Sequence, residues 1–254
     1  MCLALLALDA HPRYRLVAAA NRDEFHARPT QPAHWWRDAP ILAGRDLEQG
    51  GTWLAVSRDA RFAFVTNVRE PGRHDPGARS RGALVPALLD GTPDMRAAME
   101  DVVGAALDCN GFNLVGANVR SAAFGSNRGP RAQPLPRGVY GVSNAGLDTA
   151  WPKLVRAKAG MTAWLGLESD AIDDLWRVLR DETRATDDLL PSTGVTRERE
   201  RLLSSPFIVS ESYGTRSSTI VTIDRRGEVA FVERSFDAAG TMTGEQAFRF
   251  AAQR

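Results

Sequence analysis

Two apolar runs at the N terminus constrain the fold more than any other feature of the sequence. Residues 3–8 and 14–20 are almost wholly apolar, and residues 9–12 between them include the aspartate and the proline of a turn. Apolar runs of this length, bounded by turn residues, indicate strands that are buried on both faces. The sequence therefore predicts an N-terminal β-hairpin whose two strands are largely buried.

This hairpin brings Cys2 close to a run of four polar residues. Asn21, Arg22, Asp23 and Glu24 directly follow the second apolar run. The start of the first strand of a hairpin lies opposite the end of the second, so Cys2 and the polar run are expected at the same end of the sheet. On composition alone, a charged run after a strand is a solvated turn whose arginine and carboxylates pair with one another. Its position beside a thiol makes a functional site the competing interpretation.

The rest of the chain alternates strand pairs with helical blocks. Prolines make residues 28–36 irregular, and residues 70–81 have the composition of a mobile surface loop, a candidate lid. Alternating patterns predict strands at 52–57, 61–66, 112–117, 122–126, 138–143, 217–223, 228–234 and 246–251. Helical spacing predicts helices at 82–89, 94–107, 153–165, 171–184 and 196–203. This order indicates one α+β domain over residues 1–254, in which two sheets pack together and helices cover their outer faces.

Composition limits the partners and the compartment. A formal net charge of +1 over 254 residues gives no electrostatic basis for binding nucleic acid or an anionic membrane, so a small-molecule ligand or substrate is expected. No apolar stretch reaches the roughly 18 residues of a membrane span, and the first residues lack the basic region of a signal peptide. The sequence predicts a cytoplasmic protein and leaves its oligomeric state open. Of the 32 basic residues only Lys153 and Lys158 are lysine, a bias that indicates a GC-rich, bacterial source.

The two cysteines, Cys2 and Cys109, are too few for a disulfide framework and lack the spacing of a zinc or haem-attachment motif. No cofactor or metal is therefore expected, and Cys109 is interpreted as an inert, packed thiol. Cys2 differs, because methionine aminopeptidase removes an initiator Met1 that precedes so small a residue. The thiol and the freed α-amine, with ordinary pKa values of about 8.5 and about 8, then supply nucleophile and base in one residue.

The neighbouring polar residues suit this chemistry. Arg22 would favour the thiolate, and Asp23 or Glu24 would hold the ammonium group. Adjacent strand residues face opposite sides, so at most one of the two carboxylates faces Cys2, and the sequence leaves open which one. Two side-chain amides at the ends of predicted strands are suitable donors to a developing oxyanion: Asn67 and Asn144.

Several short strings, taken jointly and in order, resemble one known family. They are Asn21-Arg22-Asp23-Glu24, Gly44-Arg45-Asp46, Gly50-Gly51-Thr52-Trp53-Leu54, Phe64-Val65-Thr66-Asn67, Gly141-Val142-Ser143-Asn144 and Trp151-Pro152-Lys153. With the preceding Met1-Cys2 they resemble the NRDE family, also called the transport and Golgi organisation protein 2 family, over essentially the whole chain. That family is similar to cysteine-type N-terminal-nucleophile hydrolases such as bile-salt and penicillin acylases. The resemblance implies a four-layer αββα sandwich and hydrolysis of a non-peptide C–N (amide) bond in a small acylated substrate.

The same resemblance implies roles for individual residues. Cys2 is the nucleophile, Arg22 its thiolate partner, and a neighbouring carboxylate, Asp23 or Glu24, holds the amine. In the related acylases the carboxylate follows the arginine by three positions, where this chain has Phe25. The resemblance also implies two asparagines as oxyanion or amine contacts and a late-chain arginine near the site: Asn67, Asn144 and Arg216.

Two functions without catalysis stay open. NRDE proteins have been discussed in haem trafficking and in acyl-CoA or lipid handling, and a scaffold with a relic site is the third possibility. Four histidines offer axial ligands for haem as a bound ligand, although each is expected at the surface and none has a haem-attachment spacing: His11, His26, His34 and His74. For an acyl-CoA, Arg22, Arg45 and the arginines of residues 70–81 would contact phosphates, and an apolar cleft would take the chain. The predicted ligand-binding set as a whole is Asn21, Arg22, Asp23, Glu24 and Arg45.

Overall fold

The computed structural model describes residues 3–167 and 171–253. In chain order its strands are β1 (Leu3–Leu8), β2 (Tyr14–Phe25), β3 (Thr30–Trp35), β4 (Ile41–Asp46), β5 (Leu54–Ser57), β6 (Phe62–Asn67), β7 (Phe112–Ala117), β8 (Ala122–Ser126), β9 (Gln133–Pro134), β10 (Gly138–Val142), β11 (Tyr213–Asp224), β12 (Glu228–Phe236) and β13 (Met242–Ala251). The α-helices are α1 (Leu84–Asp90), α2 (Met95–Gly104), α3 (Pro152–Leu165), α4 (Asp173–Leu179) and α5 (Arg197–Leu202). Single 3-10 turns lie at Pro71–Arg73, Arg81–Ala83 and Asp187–Leu189.

The strands form two antiparallel sheets. The first has six strands in the order β10-β1-β2-β11-β12-β13, and the second has seven in the order β3-β4-β5-β6-β7-β8-β9. The predicted hairpin, β1 with β2, lies inside the first sheet, where β2 also pairs with β11 along its length. The N-terminal hairpin is therefore confirmed, and its position explains why both of its strands are apolar.

Alternation along β2 shows how the layers are assembled. Leu16, Ala18 and Ala20 face the second sheet and join the core between the sheets, together with side chains such as Phe64 and Phe231. The intervening Val17 and Ala19 face outward against α3 and α4. Because successive strand residues face opposite sides, a strand between two apolar layers must be apolar throughout.

Helices cover the outer face of each sheet. Helices α1 and α2 pack on the second sheet through an apolar cluster that includes Leu88, Met99 and Leu114. Helices α3 and α4 pack on the first sheet through Trp164, Leu175 and others. The order of layers is helix, sheet, sheet, helix, which confirms the α+β, αββα sandwich. All the described helices are too short or too polar to cross a membrane.

The prediction of a solvated turn at residues 21–24 is wrong. These residues lie inside β2, which continues to Phe25 because β11 pairs with it as far as Tyr213. The prediction of irregular structure over residues 28–36 is also wrong in part, since β3 occupies Thr30–Trp35. Strand β3 tolerates Pro32 because it is an edge strand with an irregular register between Gln31 and His34.

The predicted surface loop at residues 70–81 is irregular, and polar contacts tie it to the chain on either side of β7 and β8. Glu70 pairs with Arg128 at 2.7 Å, and Arg79 pairs with Asp108 at 2.8 Å. The side-chain amide of Asn110 donates to the carbonyl of residue 75 at 2.7 Å. The segment therefore forms a tethered strap, residues 70–81, and several of its residues line the cavities described next.

Candidate active site

Arg22 lies between the two sheets at one end of the sandwich. It shares the inward face of β2 with Ala18 and Ala20, and only 4% of the residue is exposed. Its guanidinium lies over the indole of Trp53 at 4.3 Å from the ring centroid, a cation–π arrangement. A side chain at Gly44 would occupy the space of that indole, so the Gly44 and Trp53 strings noted in the sequence serve one purpose, which is to place an aromatic ring beneath Arg22.

The guanidinium of Arg22 has a hydrogen-bond donor without an acceptor. Its buried Nη1 has no hydrogen-bond partner among the described residues. Burial lowers the pKa of Arg22, while the negative charges of Glu24 and Asp46 raise it and the positive charges of Arg216 and Arg28 lower it. Arginine stays protonated in proteins, so the site holds a partly desolvated cation that can stabilise an anion placed against Nη1.

The register of the hairpin places the beginning of β1 next to this cation. Leu3 pairs with Asn21, the residue before Arg22. Met1 and Cys2, which carry the predicted nucleophile, lie outside the described residues. The described part of the strand therefore ends beside the cation that the sequence assigned to a thiolate.

The two carboxylates of the polar run face different sides of the sheet. Glu24 lines the same cavity as Arg22, and its Oε1 accepts a hydrogen bond from the backbone N–H of Phe25 at 2.8 Å. Asp23 is buried on the other face, where its Oδ1 accepts from the hydroxyl of Thr215 at 2.7 Å. The structure thus brings Glu24 into the cavity of Arg22 and keeps Asp23 out of it. Strand alternation predicted that the two carboxylates face opposite sides but did not predict which one faces the cavity.

Asn21 contacts the outer helical layer. Its side-chain amide donates to the carbonyls of Leu179 and Pro206, both at 2.8 Å, and its carbonyl oxygen accepts from the hydroxyl of Ser218 at 2.6 Å. These bonds fasten the end of α4 and the segment before β11 to the first sheet. The first residue of the polar run, predicted to bind ligand, has its amide occupied by structural contacts.

The two predicted oxyanion asparagines lie together at the end of β6. The side-chain amide of Asn144 donates to the backbone carbonyl of Asn67 at 3.0 Å, and the backbone N–H of Arg69 donates to the carbonyl of residue 144 at 2.7 Å. The side chain of Asn67 has no hydrogen-bond partner among the described residues and lines two adjoining cavities. Asn67 is therefore available as a donor, while Asn144 holds the strand end that carries it.

The other two predicted arginines have partners away from Arg22's free Nη1. Arg45 donates to both carboxylate oxygens of Asp38 at 3.0 and 2.7 Å and lies over the ring of Trp36. Arg216 donates through Nη1 to three carbonyls of the turn after β2, those of Phe25, His26 and Arg28. Arg216 is close enough to Arg22 to lower its pKa, whereas Arg45 lies outside the cavity.

Two cavities meet at Asn67. The Arg22 cavity has a volume of about 320 Å³ and is lined by Arg22, Glu24, Arg28, Asp46, Trp53 and residues of the strap. The Asn144 cavity has a volume of about 580 Å³ and is lined by Asn144, Val68, Pro71, Val195, Leu203 and Tyr213 among others. Both include Asn67, His74, Arg81 and Asn110. A ligand that contacts Asn67 could extend into a charged cavity on one side and a more apolar one on the other.

Among the described residues, no cluster of three or more histidine, cysteine, aspartate or glutamate side chains could hold a metal ion. The expectation that all four histidines are at the surface is wrong for His11, which is 3% exposed and stacks on Trp164. Its Nδ1 accepts backbone hydrogen bonds from Arg13 and Tyr14, and its ring is buried against Tyr14 and Trp164, which is not the exposed position expected of a haem ligand. His74 lines both cavities.

A buried carboxyl group that was not among the predicted site residues lies between the two sheets, as Arg22 does. Glu233 on β12 is 2% exposed, and its Oε1 accepts from the backbone N–H of Ala33 on the facing sheet at 2.7 Å. Burial raises the pKa of Glu233 to about 7. Its position was readable, because Val229, Phe231 and Glu233 alternate along one face of the predicted strand.

The raised pKa of Glu233 makes stability depend on pH. Between about pH 4.5 and pH 7 the folded protein keeps a proton that the unfolded chain has released, so the free energy of unfolding falls as pH rises and levels off above pH 7. We expect Glu233→Gln to unfold at nearly the wild-type temperature at pH 5 and at a higher temperature at pH 8, with a gain of up to about 3 kcal/mol. Thermal unfolding at the two pH values measures this. Equal differences at both pH values would contradict it.

The fold places the chain in a class of known structures. It is similar to that of a conjugated bile acid hydrolase variant from Clostridium perfringens, with a TM-score of 0.52 at 8% sequence identity, covering 99% of this chain and 98% of that one. The αββα sandwich is thus the fold of the N-terminal-nucleophile hydrolases.

Sequence comparison then identifies the family. The family profile described as Transport and Golgi organisation 2 matches residues 1–238, and the chain belongs to that family. The homolog of Mus musculus is 34% identical, and that of Bos taurus 36%, each alignment covering 92% of this chain and 93% of the relative. The Drosophila melanogaster Transport and Golgi organization protein 2 is 28% identical, over 96% of this chain and 93% of its own length. The resemblance drawn from the sequence is confirmed.

Proposed function

We propose that the chain is a cysteine-type N-terminal-nucleophile amidohydrolase that cleaves a non-peptide C–N bond in a small acylated substrate, with Cys2 as the nucleophile. The observation that carries the proposal is the buried guanidinium of Arg22, whose Nη1 lacks an acceptor among the described residues. It lies one residue beyond the Leu3 and Asn21 pair, and Cys2 is joined to Leu3 by a peptide bond. An unmatched buried cation calls for an anion, which a thiolate would supply.

The reaction balances with groups of this chain and water. After removal of Met1, the thiolate of Cys2 attacks the amide carbon, and the negative charge moves to the carbonyl oxygen. Collapse of this intermediate breaks the C–N bond, and the leaving amine takes its proton from the α-ammonium group of Cys2. The α-amine next accepts a proton from water as the water oxygen attacks the thioester carbon. The C–S bond then breaks, which releases the carboxylic acid and restores the thiolate and the α-ammonium group.

The described residues have distinct parts in this scheme. Arg22 stabilises the thiolate by its charge, and Glu24 in the same cavity supplies a carboxylate that can pair with the ammonium group. Asn67, whose side-chain amide is unpaired among the described residues and lines both cavities, would donate to the oxyanion. Asp23, buried against Thr215, supports the strand on which Arg22 and Glu24 lie.

Replacement of Asn67 by alanine tests the oxyanion donor. We expect kcat to fall by about 10²-fold or more with KM little changed, because the lost bond matters most in the transition state. Asn67→Asp is a matched control of similar volume that removes the donor and adds a charge, and it should be no more active than the alanine variant. Steady-state hydrolysis of a panel of acyl aminomethylcoumarins, from acetyl to palmitoyl, gives both constants. A rise in KM alone would assign Asn67 to binding instead.

A second candidate, binding of a phosphate-bearing acyl ligand or of haem without catalysis, is favoured by one observation. Strap residues that carry a guanidinium or an imidazole ring line the Arg22 cavity, namely His74, Arg79 and Arg81. Arg45, the other predicted phosphate contact, is paired with Asp38 outside it. Calorimetric titration with palmitoyl-CoA and absorbance titration with haem separate the functions. Binding that survives Cys2→Ala, without turnover, would favour the binding protein over the hydrolase.

The mechanism needs a free α-amine and a reactive thiol. Intact mass of the purified protein should show loss of Met1, and iodoacetamide at neutral pH should alkylate Cys2 much faster than Cys109. Burial raises the pKa of the Cys109 thiol, which makes it an internal control of low reactivity. Retention of Met1, or equal rates at the two cysteines, would exclude the proposed mechanism.

A further inference from the structure

One edge of the first sheet is left open while the other three sheet edges are blunted. Strand β3 carries Pro32 and an irregular register, and β9 consists of two residues, one of them Pro134. Strand β10 is covered by the turn that follows it, where the backbone N–H of Asp148 donates to the carbonyl of Gly141 at 2.8 Å. Proline, bulges, short strands and covering loops are among the devices by which proteins prevent edge pairing.

The fourth edge, β13, has none of these features over most of its length. It spans ten residues, Met242–Ala251, without proline, and its only irregular register against β12 lies at its first residue. The rings of Phe248 and Phe250 pack against the core between the sheets but stay half-exposed. A long, regular edge with partly exposed aromatic rings is a surface suited to pairing with another strand.

The direction of the free backbone groups on β13 follows from one hydrogen bond. The N–H of residue 252 donates to the carbonyl of Gly227 at 2.9 Å, so the even-numbered residues of β13 form the hydrogen-bonded pairs with β12. In an antiparallel ladder these pairs alternate with pairs that do not bond. The N–H and C=O groups of the odd-numbered residues, 243 to 251, therefore point away from the sheet, and none of them has a partner in the described part of the chain.

This edge is complementary to itself. Two copies of β13 can pair antiparallel with Ala247 of one copy opposite Ala247 of the other. Residue 243 of each copy then lies opposite residue 251 of the other. Glu245 of one copy is then opposite Arg249 of the other, on both sides of the two-fold axis, and every outward N–H and C=O group meets a partner. Arg249 is exposed with no ion-pair partner in the structure's described residues, and Glu245 pairs with Arg234 at 2.8 Å on the same face.

We propose that β13 is a homodimer interface, in which two copies of this chain join edge to edge about Ala247 into one continuous twelve-stranded sheet. The pairing places Glu245 between Arg234 of its own chain and Arg249 of the second copy. A two-strand contact is small for a protein interface, so the dimer dissociates on dilution. The Arg22 and Asn144 cavities lie elsewhere and stay open in the dimer.

Ala247→Pro is the sharpest test. The N–H of residue 247 points out of the sheet, so proline removes a donor of the dimer and leaves the bonds to β12 intact, which is the placement that edge strands tolerate. Sedimentation velocity over a concentration series should show wild-type protein approaching twice the chain mass and Ala247→Pro staying at the chain mass. A wild-type monomer at all concentrations, or a dimer that Ala247→Pro leaves unchanged, would overturn the proposal.

Charge exchange tests the register independently of proline. Arg249→Glu places like charges opposite each other at both ends of the pairing and should weaken dimerisation at least about tenfold. Adding Glu245→Arg restores opposite charges across the axis and should recover the dimer. Arg120→Glu, an equal charge change on an exposed turn, is the control. A double variant as weak as the single one would overturn the register about Ala247.

Discussion

Replacement of Cys2 by alanine is expected to lower acyl aminomethylcoumarin hydrolysis by at least about 10³-fold, because the variant keeps the α-amine but has no nucleophile to form the thioester. Cys2→Ser also keeps the α-amine and supplies a hydroxyl as a weaker nucleophile, so it should retain more activity than the alanine variant. The thermal unfolding temperature of both variants should stay close to that of the wild type.

The chain provides its own control for this test. Cys109, the other cysteine, lies 4% exposed in the apolar layer between α2 and the second sheet. Cys109→Ala removes a thiol of the same kind and should leave hydrolysis unchanged, at a modest loss of stability. Equal activity losses in the two variants would point to a general effect of thiol removal and would contradict a nucleophile at Cys2.

Arg22→Met should lower kcat/KM by about 10²-fold or more without lowering the unfolding temperature. The guanidinium stabilises an anion, so its loss raises the pKa of a neighbouring thiol and moves the pH dependence of the reaction toward higher pH. The free energy of unfolding should not fall with the activity, because the variant removes a buried charge whose Nη1 lacks an acceptor and replaces it with an apolar side chain. The pH–rate profile and thermal unfolding measure the two effects separately.

Arg61 is the matched control for Arg22. It is also buried, but its guanidinium donates to the carbonyls of Leu88, Gly91 and Thr92 at the end of α1. Arg61→Met leaves these three carbonyls without their donor, so it should destabilise the fold by about 2–4 kcal/mol. The pH–rate profile should be unchanged. If Arg22→Met instead lowers the unfolding temperature as Arg61→Met does and changes no activity, Arg22 is a structural residue of a relic site.

The layers of this fold were predictable because they follow from local patterns. Uniformly apolar strands at residues 3–8 and 14–20 require cover on both faces, and helical blocks between strand pairs supply that cover. The extent of β2 was not predictable in the same way. Residues 21–24 near its end are polar, and they are strand because β11, some 190 residues later in the chain, pairs with them.

The candidate site shows the same division. Hairpin topology correctly placed the start of β1 beside the polar run, and alternation correctly separated Asp23 from Glu24. Which carboxylate shares the cavity of Arg22 depends on which face of β2 meets the second sheet, a tertiary fact. The indole of Trp53 lies beneath Arg22, and the carboxyl of Glu233 is buried, because the two sheets pack against each other. No local sequence pattern predicts that these groups lie near the site.

A covalent intermediate at Cys2 is the most direct consequence of the proposed mechanism. Brief incubation with an activated palmitoyl or acetyl ester, acid quench and intact mass analysis should show one added acyl group, and peptide mapping should locate it on the N-terminal peptide. The adduct should be absent in Cys2→Ala, present in Cys109→Ala, and strongly reduced in Arg22→Met. An adduct on Cys109, or no adduct with either ester while N-terminal processing is complete, would contradict a nucleophilic Cys2 beside Arg22.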